Sequence, residues 1–275
     1  MISRADFATI DTEIKKAIDN TLNDLRNSNQ NDYALFLADG EYSKDLENNV
    51  LNLNPNMIDN RVDRYKDASR LNFLTQFLTT FYSFPNTQAS TDDSEQRLHM
   101  ELMVYAHIWE AKPFLKKLYR LAHLWNGEQY VWNVQIPDMG KHDFIRNDIR
   151  QIFEDKGSHL FQVIKNGFHT SLRNAFAHSE YSFDTMNNNR RIILDNYNGA
   201  PWELREISFD DWSKRFVYSA LLSYYLLDLT HKHRTSLVEN TGTDHFHVKQ
   251  PSKLNGFNFV WIKYEKQYDR FSFEQ

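Results

Sequence analysis

Apolar side chains recur at helical spacing through most of this chain, and this periodicity restricts the fold more than any other feature. Side chains three and four positions apart lie on one face of a helix, so the pattern predicts amphipathic helices. We predict helices over about residues 4–28, 58–82, 92–126 (kinked at Pro113), 143–154 and 158–177, and a last long helix from residue 208. The sequence therefore indicates a mainly α protein.

The scarcity of glycine, proline and cysteine agrees with this fold class and excludes several kinds of chemistry. The 275 residues include 8 Gly and 6 Pro, and these two residues are the usual markers of turns and hairpins. The glycine-rich phosphate-binding patterns GxGxxG and GxxxxGK[ST] do not occur. Because the chain has no Cys, disulfides, thiolate metal sites and a cysteine nucleophile are excluded.

Strand-like patterns follow the helices at two places. Alternation at Tyr181 and Phe183, an Asn-rich turn at 187–189 and the segment 190–194 predict a β-hairpin. Segments 245–248 and 257–264 are typical of strands or of a packed tail, whereas residues 32–58 are expected to be irregular. We divide the chain into an N-terminal helical region of unknown role (1–90), a helical domain (92–235) and a C-terminal tail packed on the body (236–275).

Charge is unevenly distributed along the sequence. The net formal charge is −5, which does not suggest a broad basic surface for nucleic acid. Residues 141–191, however, hold 8 basic and 6 acidic side chains, so this part is slightly positive. No secretory signal and no apolar stretch of membrane-spanning length is visible, and we expect a soluble cytoplasmic protein.

The most informative motif lies where the helix over 158–177 gives way to the hairpin. Arg173 and Asn174 are followed by His178. Asn174 and His178, four apart, share a helical face, whereas Arg173 and His178 are about 140° apart around an ideal helix. Arg173 and His178 converge only if the last turn loosens or if two copies of the helix face each other across a dimer axis. A purely structural alternative is that Arg173 contacts the last carbonyls and His178 caps the helix.

With these residues, the chain resembles the HEPN family (higher eukaryotes and prokaryotes nucleotide-binding domains). Members carry an Arg, four to six residues and then a His, often with Asn, Asp or His directly after the Arg. Arg173, Asn174 and His178 match that pattern, and the resemblance covers roughly residues 92–235. It implies a HEPN-like helical bundle and a metal-independent endoribonuclease, usually a homodimer with a composite active site, often in toxin–antitoxin or anti-phage defence systems with an antitoxin or regulatory partner.

The resemblance implies catalytic roles that suit the chemistry of the matching residues. His178 would act as general acid or base on the RNA 2′-hydroxyl or the leaving 5′-oxygen. Arg173 would stabilise the phosphate, and Asn174 would orient His178 or the phosphate. Neither a metal nor a cofactor is expected. Ser179, Tyr181, Arg190 and Arg191 are candidates for substrate binding, although two adjacent Arg on a strand point to opposite faces.

Other residue groups allow alternative functions. His99 and His107 are too far apart along a helix to share one metal. His231, His233, His245 and His247 leave a metallo-hydrolase as a remote alternative. An aromatic tail is expected to pack on the body or to stack bases: Phe257, Phe259, Trp261, Tyr264, Tyr268, Phe271 and Phe273. The main alternative to an RNase is a non-catalytic helical module that binds RNA, nucleotide or a protein partner.

Overall fold

A computed structural model describes residues 1–47, 53–85, 88–252 and 256–274, and the protein is mainly α. Its main helices are α1 (Arg4–Ser28), α2 (Gln30–Leu37), α3 (Arg61–Phe81), α4 (Glu95–Glu110), α5 (Lys112–Trp125), α6 (Lys141–Asp143), α7 (Gln151–Asp155), α8 (Leu160–Gly167), α9 (Thr170–His178), α10 (Phe209–Thr235) and α11 (Leu237–Thr241). A π-helical segment, Phe144–Arg150, joins α6 to α7. The predicted fold class is thus confirmed at the level of mainly α.

Short antiparallel sheets complete the architecture. Strands β1 (Glu41–Tyr42) and β2 (Asn56–Met57) form a small pair. The predicted hairpin is present as β3 (Tyr181–Asp184) and β4 (Arg191–Leu194), and β5 (Glu206–Ser208) adds a third strand to it. The C-terminal tail is a second three-stranded sheet of β6 (His245–Pro251), β7 (Phe257–Glu265) and β8 (Arg270–Phe273), with β7 in the centre.

Helix α10 forms the centre of the molecule. It packs against α1, α3, α4 and α8, and its buried side chains run along its whole length from Phe209 to Arg234. The core includes side chains from α1 (Ile14), α10 (Leu222) and the C-terminal sheet (Ile262) in one hydrophobic cluster. All three predicted regions contribute to that cluster, and the boundaries at residues 90 and 235 stay predictions.

A buried carboxylate joins three of these helices. Glu101 of α4 is fully enclosed and forms an ion pair with Arg97 one turn earlier. Tyr82, at the end of α3, donates a hydrogen bond to the same carboxylate. The indole of Trp212 in α10 donates to its second oxygen at 2.9 Å. A buried charge is tolerated only when it is paired and hydrogen-bonded. Here Arg97 lies one turn earlier in α4, and the other two partners come from the end of α3 and from α10.

The long helix predicted over 92–126 is wrong in one respect, because it is two helices. Ala111 adopts an extended ψ of 102° and separates α4 from α5. Pro113 then lies in the first turn of α5, where its missing N–H would be unpaired in any case. Proline therefore starts a second helix here instead of kinking one.

The helix predicted over 158–177 is also interrupted. Phe168 and His169 are extended, and they separate α8 from α9. The hydroxyl of Tyr105 in α4 donates to the Gly167 carbonyl at 3.2 Å and accepts the His169 N–H at 2.9 Å. A tertiary contact thus satisfies the backbone groups that the break leaves open.

Part of the segment expected to be irregular is a helix. In α2, the five residues 33–37 are all buried, so this helix is apolar on every side and shows no amphipathic period. The remaining predictions for α1, α3, α10 and the C-terminal strands are confirmed within a few residues, except that helix 143–154 contains the π-helical segment.

The Glu101 site predicts a large and specific loss of stability. Replacing Glu101 with Gln removes the buried carboxylate that pairs with Arg97 and leaves only the exposed Asp92 as its acidic partner, so we expect the free energy of unfolding to fall by about 3 kcal/mol. Urea denaturation followed by circular dichroism measures this difference. The control is Glu154→Gln, an exposed position on α7, where we expect a change of at most about 0.5 kcal/mol. Equal losses in the two variants would contradict the assignment.

Candidate functional site

Helix α9 carries the Arg–His motif and is fixed at both ends. At its start, the Nδ1 atom of His169 accepts the Ser171 N–H at 3.2 Å and caps the helix. At its end, Ser179 adopts a left-handed conformation with φ 57° directly after His178, and the chain turns into β3. The buried ring of Phe176 packs edge-on against Trp212, with centroids 4.9 Å apart. The motif helix therefore packs against Trp212, the same residue that donates a hydrogen bond to Glu101.

Arg173 lies partly buried between α9 and α4. Its guanidinium forms an ion pair with Glu110, the last residue of α4, and donates to the Asn174 side-chain oxygen at 2.8 Å. Lys141 of α6 forms a second ion pair with the same Glu110 carboxylate. The structure thus brings Arg173 and Asn174 together and adds an acidic partner that anchors them.

His178 forms no hydrogen bond with either of these two residues. It is exposed at the C-terminal end of α9, and within the described parts of the chain its imidazole has no hydrogen bond or ion pair. Arg173 bonds to Asn174 and Glu110, not to His178. Within one chain, therefore, the motif does not close into a site, as the 140° separation on the helix requires.

A cluster of cationic side chains surrounds the start of α9, and we call Lys141, Arg146, Arg150 and Arg173 the cationic cluster. Arg146 donates to the Thr170 hydroxyl at 2.7 Å, one turn before Arg173. Burial, together with the nearby Arg146 guanidinium, lowers the pKa of Arg150. Arg146 and Arg150 have no ion pair in the described residues, although the Glu154 carboxylate lies near Arg150, so both guanidinium groups stay available to an anionic ligand.

The geometry of the π-helical segment contributes to this arrangement. Arg146 and Arg150 both lie in Phe144–Arg150, where the wider turn replaces a regular α-helix. Such segments are uncommon and are frequent at functional sites. Their packing side chains, Phe144, Ile145 and Ile149, are buried, so the segment is held to the core while its arginines lie nearer the surface.

The electropositive surroundings are also visible at His169. Burial, together with the nearby guanidinium groups of Arg215 and Arg146, lowers the pKa of its imidazole to about 4. Because Nδ1 accepts the Ser171 N–H, a neutral ring carries its proton on Nε2. His169 is thus a neutral helix cap at physiological pH. Its low pKa reflects burial and the positive charges of Arg215 and Arg146 beside the motif.

The predicted substrate-binding residues lie in and beside the hairpin. Arg190 forms an ion pair with Asp93, whereas Arg191 pairs with Asp184 at 2.9 Å and with Glu206 at 3.0 Å. Both guanidinium groups are therefore neutralised by carboxylates. The Tyr181 hydroxyl lies 3.0 Å from Nδ1 of His99, and Ser179 is exposed in the turn.

Two of the remaining candidate histidines have polar contacts within the chain. His233 is buried and lies 2.8 Å from both the Tyr33 hydroxyl and the Asp19 carboxylate, and His245 contacts Asp244 and Glu274. Across residues 1–47, 53–85, 88–252 and 256–274, no group of three His, Asp or Glu side chains could hold a metal ion. No helix in these same ranges is long and apolar enough to cross a bilayer.

A mainly apolar cavity lies elsewhere in the described part of the chain. A groove of about 550 Å³ separates α3 from α4 and α10. Its walls are mainly apolar, and they include Phe77, Val104 and Leu226, with Met103 and His107 among the other lining residues. Arg173, Asn174 and His178 do not line this groove, so a small-molecule cavity does not define the motif's chemistry.

Sequence reasoning did not identify the residues that surround Arg173. Lys141, Arg146 and Arg150 all fall in the slightly positive segment 141–191, and the spacing of four between the two arginines signals a shared helical face. The charge of the segment and the arginine spacing are therefore enough to select these three residues from the sequence as candidates for binding an anion. Glu110, by contrast, has no local signal, because its partnership with Arg173 depends on how α4 packs against α9.

The lowered pKa of His169 predicts a pH dependence of stability. The unfolded chain binds the proton near pH 6.5 and the folded chain only near pH 4, so stability falls as the pH decreases through this window. The His169 contribution to that fall is about 2 to 3 kcal/mol. His169→Asn keeps a good capping acceptor but cannot titrate. Urea denaturation at pH 7 and pH 4 should show a smaller loss for the variant, and an identical loss would contradict this assignment.

Comparisons with known proteins give no match for this chain. No protein-family model matches the chain, no curated protein is detectably similar to it, and no solved structure matches it. The case for a function therefore depends on the residues and their geometry.

Proposed function

We propose that this protein is a metal-independent endoribonuclease of the HEPN type. The observation that supports it most is the position of Arg173 and Asn174, bonded to each other within the cationic cluster, on the same short helix as the exposed His178. A guanidinium among other cations binds a phosphate group well, and a solvent-accessible imidazole can act as a general acid or base. The HEPN resemblance adds a setting, namely a toxin–antitoxin or anti-phage system.

The proposed reaction uses the RNA's own 2′-hydroxyl as nucleophile. The 2′-oxygen forms a bond to phosphorus, the bond from phosphorus to the 5′-oxygen breaks, and the products are a 2′,3′-cyclic phosphate and a 5′-hydroxyl. His178 removes the 2′ proton or protonates the leaving oxygen. Arg173 stabilises the charge that develops on the phosphate in the transition state, and for this the phosphate must compete with Glu110.

We propose that the complete site forms between two copies of the chain. Within one chain Arg173 and His178 do not contact each other, whereas a two-fold axis beside α9 would bring Arg173 of one copy close to His178 of the other. The exposed end of α9 is free for such a contact, since Ala177, His178 and Ser179 are all exposed. The same arrangement would place two cationic clusters on either side of a bound strand.

A non-catalytic RNA- or partner-binding module is the second candidate, and one observation favours it. The Glu110 carboxylate pairs with Arg173 and Lys141, so catalysis at Arg173 requires this pairing to break. A non-catalytic module would need neither Arg173 nor His178, because Arg146 and Arg150 could bind RNA while Glu110 stays paired. The two candidates therefore differ in what His178 does.

Cleavage in the absence of metal tests the proposed activity. With total cellular RNA and EDTA, we expect the protein to cleave RNA and to leave 2′,3′-cyclic phosphate ends. His178→Ala should lower the rate at least about 100-fold, because general acid–base catalysis commonly contributes that much. The matched control is His107→Ala, another exposed imidazole on the neighbouring helix α4, which should cleave at the wild-type rate.

Several results would contradict the enzyme assignment. Wild-type cleavage that stops in EDTA would indicate a metal enzyme. Unchanged cleavage by His178→Ala would remove His178 from the mechanism. RNA binding without cleavage, retained in His178→Ala, would support the non-catalytic module.

A mixing experiment tests the composite site. Arg173→Lys keeps a charge for Glu110 but loses the bidentate guanidinium, so we expect it to lower the cleavage rate at least about tenfold. If the site spans two chains, mixed dimers of Arg173→Lys and His178→Ala contain one intact Arg and one intact His in the same cleft. The mixture should then cleave faster than either variant alone. Absence of any gain, with mixed dimers verified by co-purification through two different affinity tags, would argue against a shared site.

A further inference from the structure

The outward face of the C-terminal sheet carries a row of exposed aromatic side chains. Phe257, Phe259 and Trp261 occupy alternate positions of β7, so they project from the same face. Their side chains are 54%, 65% and 49% exposed. The opposite face is packed, since Ile262 and Tyr264 of the same strand are buried. We call the three exposed rings, with His247, Lys249 and Lys263, the aromatic platform.

The platform has an ordered geometry. His247 stacks on Trp261 with centroids 4.8 Å apart and an interplanar angle of 26°, and it also contacts Phe259 at 5.2 Å. The Lys249 ammonium lies 4.0 Å from the centre of the Phe257 ring. Cross-strand pairing between β6 and β7 fixes these neighbours, because His247 lies opposite Trp261 and Lys249 opposite Phe259.

Basic groups are interleaved with the rings, and two of the nearby carboxylates are bound by other side chains. Lys263 lies two positions after Trp261 on the same face of β7 and forms no ion pair with the described residues. At the margin of the face, Glu265 is bound by Arg270 at 2.8 Å, and Glu274 lies 2.9 Å from His245. Asp32 lies near Lys249 and Glu265 near Lys263, but neither lysine forms an ion pair with the described residues, so both ammonium groups can still bind a phosphate.

We infer that the aromatic platform binds unpaired bases of a single-stranded nucleic acid. Aromatic side chains on an exposed sheet stack bases, and neighbouring cations hold the phosphates. Alternate residues on a strand are about 6.7 Å apart, which exceeds the rise of about 3.4 Å per nucleotide in a stacked strand. The rings therefore match an extended strand whose bases have come apart, and they do not match a duplex.

The charge pattern distinguishes this ligand from a protein partner. Exposed apolar patches of this kind mark a binding surface in general, but lysine is depleted at protein–protein interfaces. Here Lys249 and Lys263 stand among the rings themselves. Phosphate groups bind such cations, whereas a second copy of this chain packed face to face would bring the same positively charged surface against them.

The platform is a separate site from the Arg173 motif. Trp212 of α10 packs against the motif helix, whereas Arg234, near the other end of α10, bonds to Asp269 beside β8. These two residues are about 33 Å apart along the helix, which corresponds to roughly ten nucleotides of stacked strand. Binding at the platform therefore requires no cleavage, and the inference does not rest on the proposed nuclease activity.

Fluorescence anisotropy with the full chain tests the inference. The probe is a labelled 2′-O-methyl RNA of about 12 nucleotides, which cannot be cut through its 2′-oxygen, with DNA of the same sequence as a second arm. Phe259→Ala and Trp261→Ala should each weaken binding about tenfold, and Lys263→Ala should lower the salt dependence of log K by about one. The matched control is Trp202→Ala, which removes an indole that is 65% exposed on the loop before β5.

The outcomes separate the possibilities. Tight binding of both single strands, with a duplex of the same sequence at least tenfold weaker, supports the inference, and preference for one strand type identifies the natural ligand. The inference is overturned if Trp261→Ala binds as Trp202→Ala does, or if the wild type binds no single strand. A change of sedimentation coefficient in the aromatic variants, without a change in binding, would instead identify the face as a contact between copies. Circular dichroism of each variant excludes loss of the fold.

Discussion

The enclosed carboxylate of Glu101 is the interaction on which the arrangement of the bundle depends most. It is bonded by Arg97 of its own helix, by Tyr82 at the end of α3 and by Trp212 of α10. A charge in this position requires all its partners to be present, because an unpaired buried charge costs several kcal/mol. The same Trp212 packs on Phe176 of α9. The position of the Arg–His motif is therefore set by the network that holds α3, α4 and α10 together.

An acidic chain can still carry a local site for a polyanion, and this structure shows how the positive charge is concentrated. The net charge is −5, yet Lys141, Arg146 and Arg150 are brought beside Arg173 by the π-helical segment and the packing of α9. Glu110 is the acidic group paired within this cluster. Because screening in salt limits charge effects to about 8 to 10 Å, the local arrangement matters more to a bound phosphate than the charge of the whole molecule.

The two proposed sites lie towards opposite ends of α10 and differ in chemistry. The Arg173 motif offers a guanidinium, an amide and an imidazole, which suits a reaction at a phosphate. The aromatic platform offers rings and lysines, which suits binding of bases. Sites of the second kind bind without sequence preference, so a strand held there would be presented to the motif at a distance set by α10. The long helix α10 thus contributes to the core and sets the distance between the two proposed sites.

Local patterns in the sequence determined the main helices, the hairpin after His178 and the residues of the motif. These features depend on periodicity, capping and turn residues, which act over a few positions. The residues Lys141, Arg146 and Arg150 were within reach of the same reasoning, through their spacing and the charge of their segment. The aromatic tail was recognised as well, but the sequence did not distinguish packed rings from exposed ones.

Only the tertiary structure decided the breaks in the helices, the partner of Arg173 and the orientation of the aromatic rings. The break before α9 is stabilised by the Tyr105 hydroxyl from α4, and Glu110 reaches Arg173 because α4 and α9 pack together. Phe259 and Trp261 are exposed whereas Tyr264 is buried, because strand alternation selects two faces but packing decides which of them meets the core. Contacts between distant residues set each of these outcomes, and no local pattern encodes them.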